Sequence, residues 1–148
     1  MSSPFTQSDL IESTTIFAQQ ARVVRFQDVD AAGTIYFPRV LEYFGDVYLS
    51  LLESAGLDVP GMLRDKIMAA PLAHAEADFL APLFFGDAVV VELCKAKLGR
   101  TSATFGHRMK KAGTVTSVGT TVHIFVDGGT FKPVEVPAGL RALVESGS

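Results

Sequence analysis

The chain has 148 residues, 48% of them hydrophobic, enough for one domain with a real core and too little for two, so a single unit over residues 1–148 is expected. Its formal charge is -3 and its Lys and Arg never form a run of five, which argues against nucleic acid as a partner and against a polybasic membrane patch. No stretch has the apolar length of a membrane helix, the first twelve residues lack a secretory pattern, and Cys94 is the single cysteine, so a cytoplasmic location is expected.

Residues 1–10 carry Ser, Thr, Gln and acids and read as a flexible leader. Thr14 to Phe26 is rich in β-branched and apolar residues and reads as an opening strand. The pattern then breaks at Asp28-Val29-Asp30-Ala31-Ala32-Gly33, and Thr34-Ile35-Tyr36-Phe37 leads into Pro38, which suits the first turn of a helix. From Val40 to Ala55 apolar residues fall at 40, 44, 47, 48, 51 and 55, with Leu41, Tyr43 and Leu52 widening the stripe. A helix so apolar is expected to be enclosed by other structure, and Gly56 closes it just past its end.

Val59-Pro60-Gly61 opens a short second helix to about Lys66. Four strands follow, Leu72 to Phe79, Ala88 to Leu98, Thr101 to Lys110 and Val115 to Val126, separated by Pro82 to Asp87, Gly99-Arg100 and Ala112-Gly113. Tight connections predict an antiparallel meander, and Ala138 to Glu145 predicts a terminal helix. One strand, one apolar helix and four more strands make an α+β domain whose sheet must wrap the helix.

The stretch Phe26 to Pro38 carries the chemistry. An acidic turn facing a helix start places a carboxylate beside unpaired backbone N–H groups and the positive end of the helix dipole. A carbonyl held there would be polarised by an N–H while the carboxylate attacks it or activates water. The plain alternative is a capping aspartate in an ordinary turn. Asp28, Asp30 and Gly33 also match positions 1, 3 and 6 of a calcium loop, but Ala32 and Arg39 stand where oxygen ligands are required, which excludes it. His74, His107 and His123 lack metal-ligand spacing and read as packing or surface residues, so no metal or cofactor is expected. A serine-type hydrolase elbow is absent from the sequence.

This segment resembles the signature of the 4-hydroxybenzoyl-CoA thioesterase branch of hot-dog enzymes: a strand ending in Asp-x-Asp-x-x-Gly, an apolar pair, an aromatic pair and the central helix. The order of elements from about Thr14 to Val126, Ala75 to Pro82 and the Leu98-Gly99-Arg100-Thr101-Ser102 turn agree with it. The resemblance implies a hot-dog fold with about five antiparallel strands around a long helix, and hydrolysis of an acyl-CoA thioester. It implies Asp30 as nucleophile or general base, the Phe37 backbone N–H as the oxyanion donor, and a substrate site at Gly33, Thr34, Tyr36, Pro38 and Gly45. Asp28 then reads as a loop-fixing residue. Gly45, inside a helix at a cost of about 1 kcal/mol, is explained either by tight contact with the sheet or by room for the acyl group.

Arg100, Arg108 and Lys110 are candidates for the coenzyme A phosphates, because arginine forks suit phosphate oxygens; a solvated face is the plain reading. The acyl group is read as aromatic or as a medium chain, with Tyr36, Phe37, Tyr43 and Phe44 able to line its pocket. A carrier-protein thioesterase and a non-catalytic acyl-CoA-binding module are the alternatives. Family resemblance and the exposed edges of long strands imply a homodimer or homotetramer.

Overall fold

The computed structural model describes residues 2–147; Met1 of the expected leader and Ser148 at the end of the expected domain lie outside them. In chain order the elements are α1 (Gln7–Glu12), β1 (Ala18–Val23), a 3-10 turn (Phe26–Asp28), α2 (Phe37–Ser54), α3 (Val59–Arg64), β2 (Met68–Ala69), β3 (Leu72–Phe79), β4 (Ala88–Leu98), β5 (Ser102–Lys111), β6 (Thr114–Ile124), β7 (Val126–Asp127) and α4 (Ala138–Gly147). Five strands form one antiparallel sheet in the order β1-β4-β5-β6-β3, and α2 lies across one face of it. This is the hot-dog arrangement.

The helix seats itself by its stripe. Val40, Tyr43, Phe44, Val47, Tyr48, Leu51 and Leu52 are buried and share a core with Val89, Val91 and Leu93 of β4 and Ala103, Phe105 and Met109 of β5. Burying such side chains contributes about 1.5–3 kcal/mol each. The helix ends in a Schellman motif: Gly56 N–H donates to Glu53 O and Leu57 N–H to Leu52 O, with Gly56 at φ +84°. One side of α2 stays open, carrying Glu42, Asp46, Leu49 and Glu53. The apolar residues that widen the stripe therefore do not enclose the whole helix within one chain.

Three expectations change. The opening strand is shorter, because Val24 N–H already bonds the β3–β4 connection at Asp87 O and the chain then turns at Phe26. The four later strands are not a simple meander: β4, β5 and β6 are, but β3 pairs with the far side of β6, so Pro82 to Asp87 carries the chain across the sheet.

The third change is the leader. Thr6 and Asp9 form a capping box that starts α1, Leu10 is buried against Cys94 and Val118, and Ser3 Oγ hydrogen-bonds Thr120 Oγ1 at 2.7 Å. Gly106 permits this approach, since a Cβ there would collide with Leu10 and lie 2.8 Å from the Lys95 Cβ. Six residues are too few for a helical period to stand out in the sequence.

Candidate active site

The Asp28 to Tyr36 segment is a miniature hairpin. Tyr36 N–H donates to Asp28 O at 2.7 Å, Val29 bridges Ile35, and Asp30 N–H donates to Thr34 O at 2.9 Å. Gly33 sits at φ +84°, a region that favours glycine, and its N–H closes the tip on Asp30 O at 3.0 Å. The returning strand is held from outside as well, by Ile35 N–H to Leu83 O at 2.8 Å and a bridge from Thr34 to Phe84.

The two aspartates of this hairpin live in opposite environments. Asp30 is exposed, and its Oδ1 accepts the Ala32 N–H at 2.9 Å. Asp28 is fully buried. Its carboxylate accepts the Arg25 N–H, Nε and Nη2 at 3.0, 3.0 and 3.1 Å and the Tyr43 hydroxyl, with Arg39 Nε at 3.6 Å. Burial alone would push the Asp28 carboxyl up, but the bonds from Arg25 and Tyr43 outweigh it and hold it well below the usual carboxylate range. Burial and the Asp28 charge push the Tyr43 hydroxyl up to about 12.

The helix begins immediately after this hairpin. Tyr36 is the N-cap, with no side-chain cap bond, and Pro38 has no N–H to satisfy. The Phe37 N–H makes no hydrogen bond to another described residue. The structure thus brings Asp30, Gly33, Thr34, Tyr36, Phe37 and Pro38 to one loop–helix junction, with an exposed carboxylate and a free backbone donor at the positive end of an 18-residue helix. Around it stand exposed aromatic rings: Phe37 is 61% exposed, with its ring 5.3 Å from Tyr36 and 6.4 Å from Phe79. Phe26 and Phe85 pack edge to face beside the same hairpin. An apolar group of this size left in water marks a ligand or partner surface.

Gly45 lies two turns along α2 on its open side. A Cβ there would meet no atom within 4 Å, so the tight contact with the sheet is not what the glycine serves. It borders a groove of about 420 Å³ between Arg22, Arg39, Tyr43 and Leu49.

The three phosphate candidates separate. Arg108 is buried and engaged elsewhere: its Nε bonds Glu92 at 2.8 Å, and its Nη1 donates to the carbonyls of Leu10, Ile11 and Ser13. It therefore cannot receive a phosphate; the two-residue period gave its face correctly but could not show that α1 covers that face. Lys110 pairs with the same Glu92 at 3.3 Å. Arg100 is exposed in the β4–β5 turn and has no ion pair among the described residues.

The histidines sit in packing positions. His107 stacks on Phe44 and shares a hydrogen with Thr121 at 2.9 Å, His123 stacks on Tyr48, and His74 pairs with Glu76. Sequence reasoning missed Arg25, Arg39 and Phe79 as neighbours of the site, and named Tyr43 only as a pocket-lining ring, not as a partner of Asp28. Phe79 had a usable signal, since by the two-residue period it shares a strand face with Ala77, which packs in the core beneath α2.

Residues 24–144 match the family model described as the thioesterase-like superfamily. The chain belongs to that superfamily. Among its curated relatives, a 1,4-dihydroxy-2-naphthoyl-CoA hydrolase from Nostoc punctiforme is 33% identical over 116 residues, 78% of each chain. One of the same name from Synechococcus elongatus is 28% identical over 83% of this chain and 91% of its own. The crystal structure of a 1,4-dihydroxy-2-naphthoyl-CoA thioesterase from Synechocystis superimposes with a TM-score of 0.79 at 25% identity, covering 86% of this thioesterase-like chain and 94% of that one. A gentisyl-coenzyme A thioesterase shares the fold, with a TM-score of 0.76 at 23% identity over 83% of this chain and 98% of its own.

Proposed function

We propose that the protein hydrolyses an acyl-CoA thioester to the free acid and coenzyme A, with Asp30 as its essential carboxylate. The observation that carries this reading is the hairpin, which sets an exposed carboxylate and an unbonded helix-start amide at one junction. The Phe37 N–H donates a hydrogen bond to the developing oxyanion as the carbonyl carbon becomes tetrahedral, a contribution of about 10²–10³ in rate for one such donor. Asp30 either takes a proton from the attacking water or attacks the carbonyl itself, giving an anhydride that water then opens. In both routes the C–S bond breaks as the oxyanion collapses, and the leaving thiolate needs little acid assistance because thiols ionise near pH 8.5.

The acyl group is aromatic in this reading. The exposed rings of Tyr36, Phe37 and Phe79 offer flat apolar contact, Gly45 leaves space along α2, and the relatives are named for a naphthoyl ester. Pro38, Thr34 and Gly33 would border the thioester, and Arg100 remains the candidate for a coenzyme A phosphate. The working form is a homodimer or a pair of dimers. Among the described residues β3 pairs with β6 alone in the sheet, so its other edge is open to a second copy, which would then approach Phe79 and the site. A reducing compartment, the cytoplasm, suits a chain whose one cysteine is buried and unpaired.

Thiol release from a panel of acyl-CoA esters tests this, comparing wild type with Asp30→Asn at matched circular dichroism and sizing both by sedimentation. Aromatic esters should turn over fastest, the variant should lose at least about 10²-fold, and neither preparation should be monomeric. A wild type that spares every CoA ester would overturn the reading in favour of a carrier-protein substrate or a binding module.

A further inference from the structure

We propose that Asp28 is a positioning residue for this reaction, a buried carboxylate that sets Asp30 and the Phe37 amide at the same time. The inference rests on the thioesterase reading above and adds a second carboxylate with a different task.

The geometry is that of a clamp with three arms. Through its carboxylate Asp28 holds the strand exit at Arg25, by backbone and guanidinium together, and the second turn of α2 at Tyr43. Through its carbonyl it holds the returning strand at Tyr36. Asp30 lies two residues beyond the clamp on the outgoing strand, and the Phe37 amide lies one residue beyond it on the return. Both reacting groups are therefore registered from one residue. The helix start has no side-chain cap at Tyr36 and no acid in its first turn; its Arg39 turns back to the same segment, with Nη2 donating to Gln27 O at 3.3 Å and Nε 3.6 Å from the Asp28 carboxylate.

Tyr43 is itself fixed. Its ring is buried, and the Arg22 guanidinium stands 3.8 Å from its centroid. Asparagine in place of Asp28 would keep the shape but would lose the charge, and its NH₂ could not accept from the Arg25 amide and guanidinium, which only donate. Because the Asp28 carboxylate is fully buried, the lost ionic bonds loosen the seating of the hairpin against α2. A displacement of about 1 Å at a reacting group lowers rate about 10²-fold.

The test uses the full chain and the best aromatic ester from the panel. Asp28→Asn, assayed at a temperature where its circular dichroism equals that of wild type, should lower kcat about 10- to 100-fold with KM within about threefold. Tyr43→Phe, which removes one donor and leaves the Arg25 pair, should lower kcat in the same direction by a smaller factor, and it carries the test should Asp28→Asn fail to fold. The double variant Asp28→Asn/Asp30→Asn should be no slower than Asp30→Asn alone, because Asp28 acts through groups already disabled. Wild-type kcat in a folded Asp28→Asn protein, or in Tyr43→Phe where only that folds, overturns the proposal, as does a further multiplicative loss in the double variant. An active Asp30→Asn would instead bring down the thioesterase mechanism itself, so the two failures are distinguishable.

Discussion

On the inner face of the sheet, α2 buries seven of its own side chains over 18 residues; on the outer face, α1 buries only Leu10 over six. The long helix is held by area. Its stripe meets Val91, Leu93, Phe105 and Met109, and the polar groups beneath it, His107 and His123, are flattened against Phe44 and Tyr48. The short helix is held by charge. Arg108 rises from β5 between Glu92 and three carbonyls at and just beyond the end of α1, satisfying groups that a helix C-terminus leaves unpaired. One sheet thus shows that a helix too short to bury its own stripe can be secured by a buried ion pair that takes over its capping.

Breaking that pair should have the largest effect. Arg108→Met leaves Glu92 buried with only the half-exposed Lys110 beside it and abandons the α1 carbonyls, for a loss of about 3–5 kcal/mol. Urea denaturation should show a lower midpoint, and amide exchange should rise first around Leu10 to Ser13. Adding Glu92→Gln should recover part of the loss. Equal stability in Arg108→Met and wild type would mean that α1 is held by Leu10 and Phe5 alone.

Acid should weaken the inner face next. Burial, and then the neighbouring His123, push the His107 ring down to about 3 from an ordinary 6.5. The folded protein therefore resists protonation that the unfolded chain accepts. This contribution is fully present above pH 6.5 and is lost progressively as pH falls toward 3. Two units into that window, at pH 4.5, the loss from His107 is about 2–3 kcal/mol. Asp28 enters only below about pH 4, where its carboxyl would protonate in the unfolded chain. Urea midpoints at pH 7 and pH 4.5 check this, with His107→Gln as the control whose acid loss should be smaller; an undiminished loss would place the sensitivity elsewhere.

What the sequence revealed of this division follows from length. The α2 stripe and the strand ends at Leu72–Phe79 and Ala88–Leu98 were legible because each repeats its period several times. α1 was not, because a capping box and one leucine resemble a polar leader until Gly106 and Arg108 are seen beneath them. The place of β3 beyond β6 was hidden for a different reason: strand order depends on where a connection crosses, and Pro82 to Asp87 reads as a turn either way. At the candidate site, Asp30 and Phe37 could be proposed from the sequence because they lie seven residues apart in one segment. The clamp around Asp28 could not, because Tyr43 reaches it only once the helix is formed and the hairpin is folded onto it.

The smallest effect concerns the side of α2 that neither face of the sheet covers. Glycine in a helix interior is about 1 kcal/mol less favourable than alanine, and at position 45 the added methyl would touch nothing within 4 Å. Gly45→Ala should therefore raise stability by about 1 kcal/mol, read as a higher urea midpoint at unchanged slope. Gly106 gives the contrast, since the same methyl there would strike α1. If Gly45 persists because an acyl group lies along α2, the more stable variant should also be slower on bulky aromatic esters, with small aliphatic esters little changed. A variant that is both more stable and equally active on every ester would show that the groove over Gly45 is not where the acyl group lies, and would move the pocket toward Phe37 and Phe79.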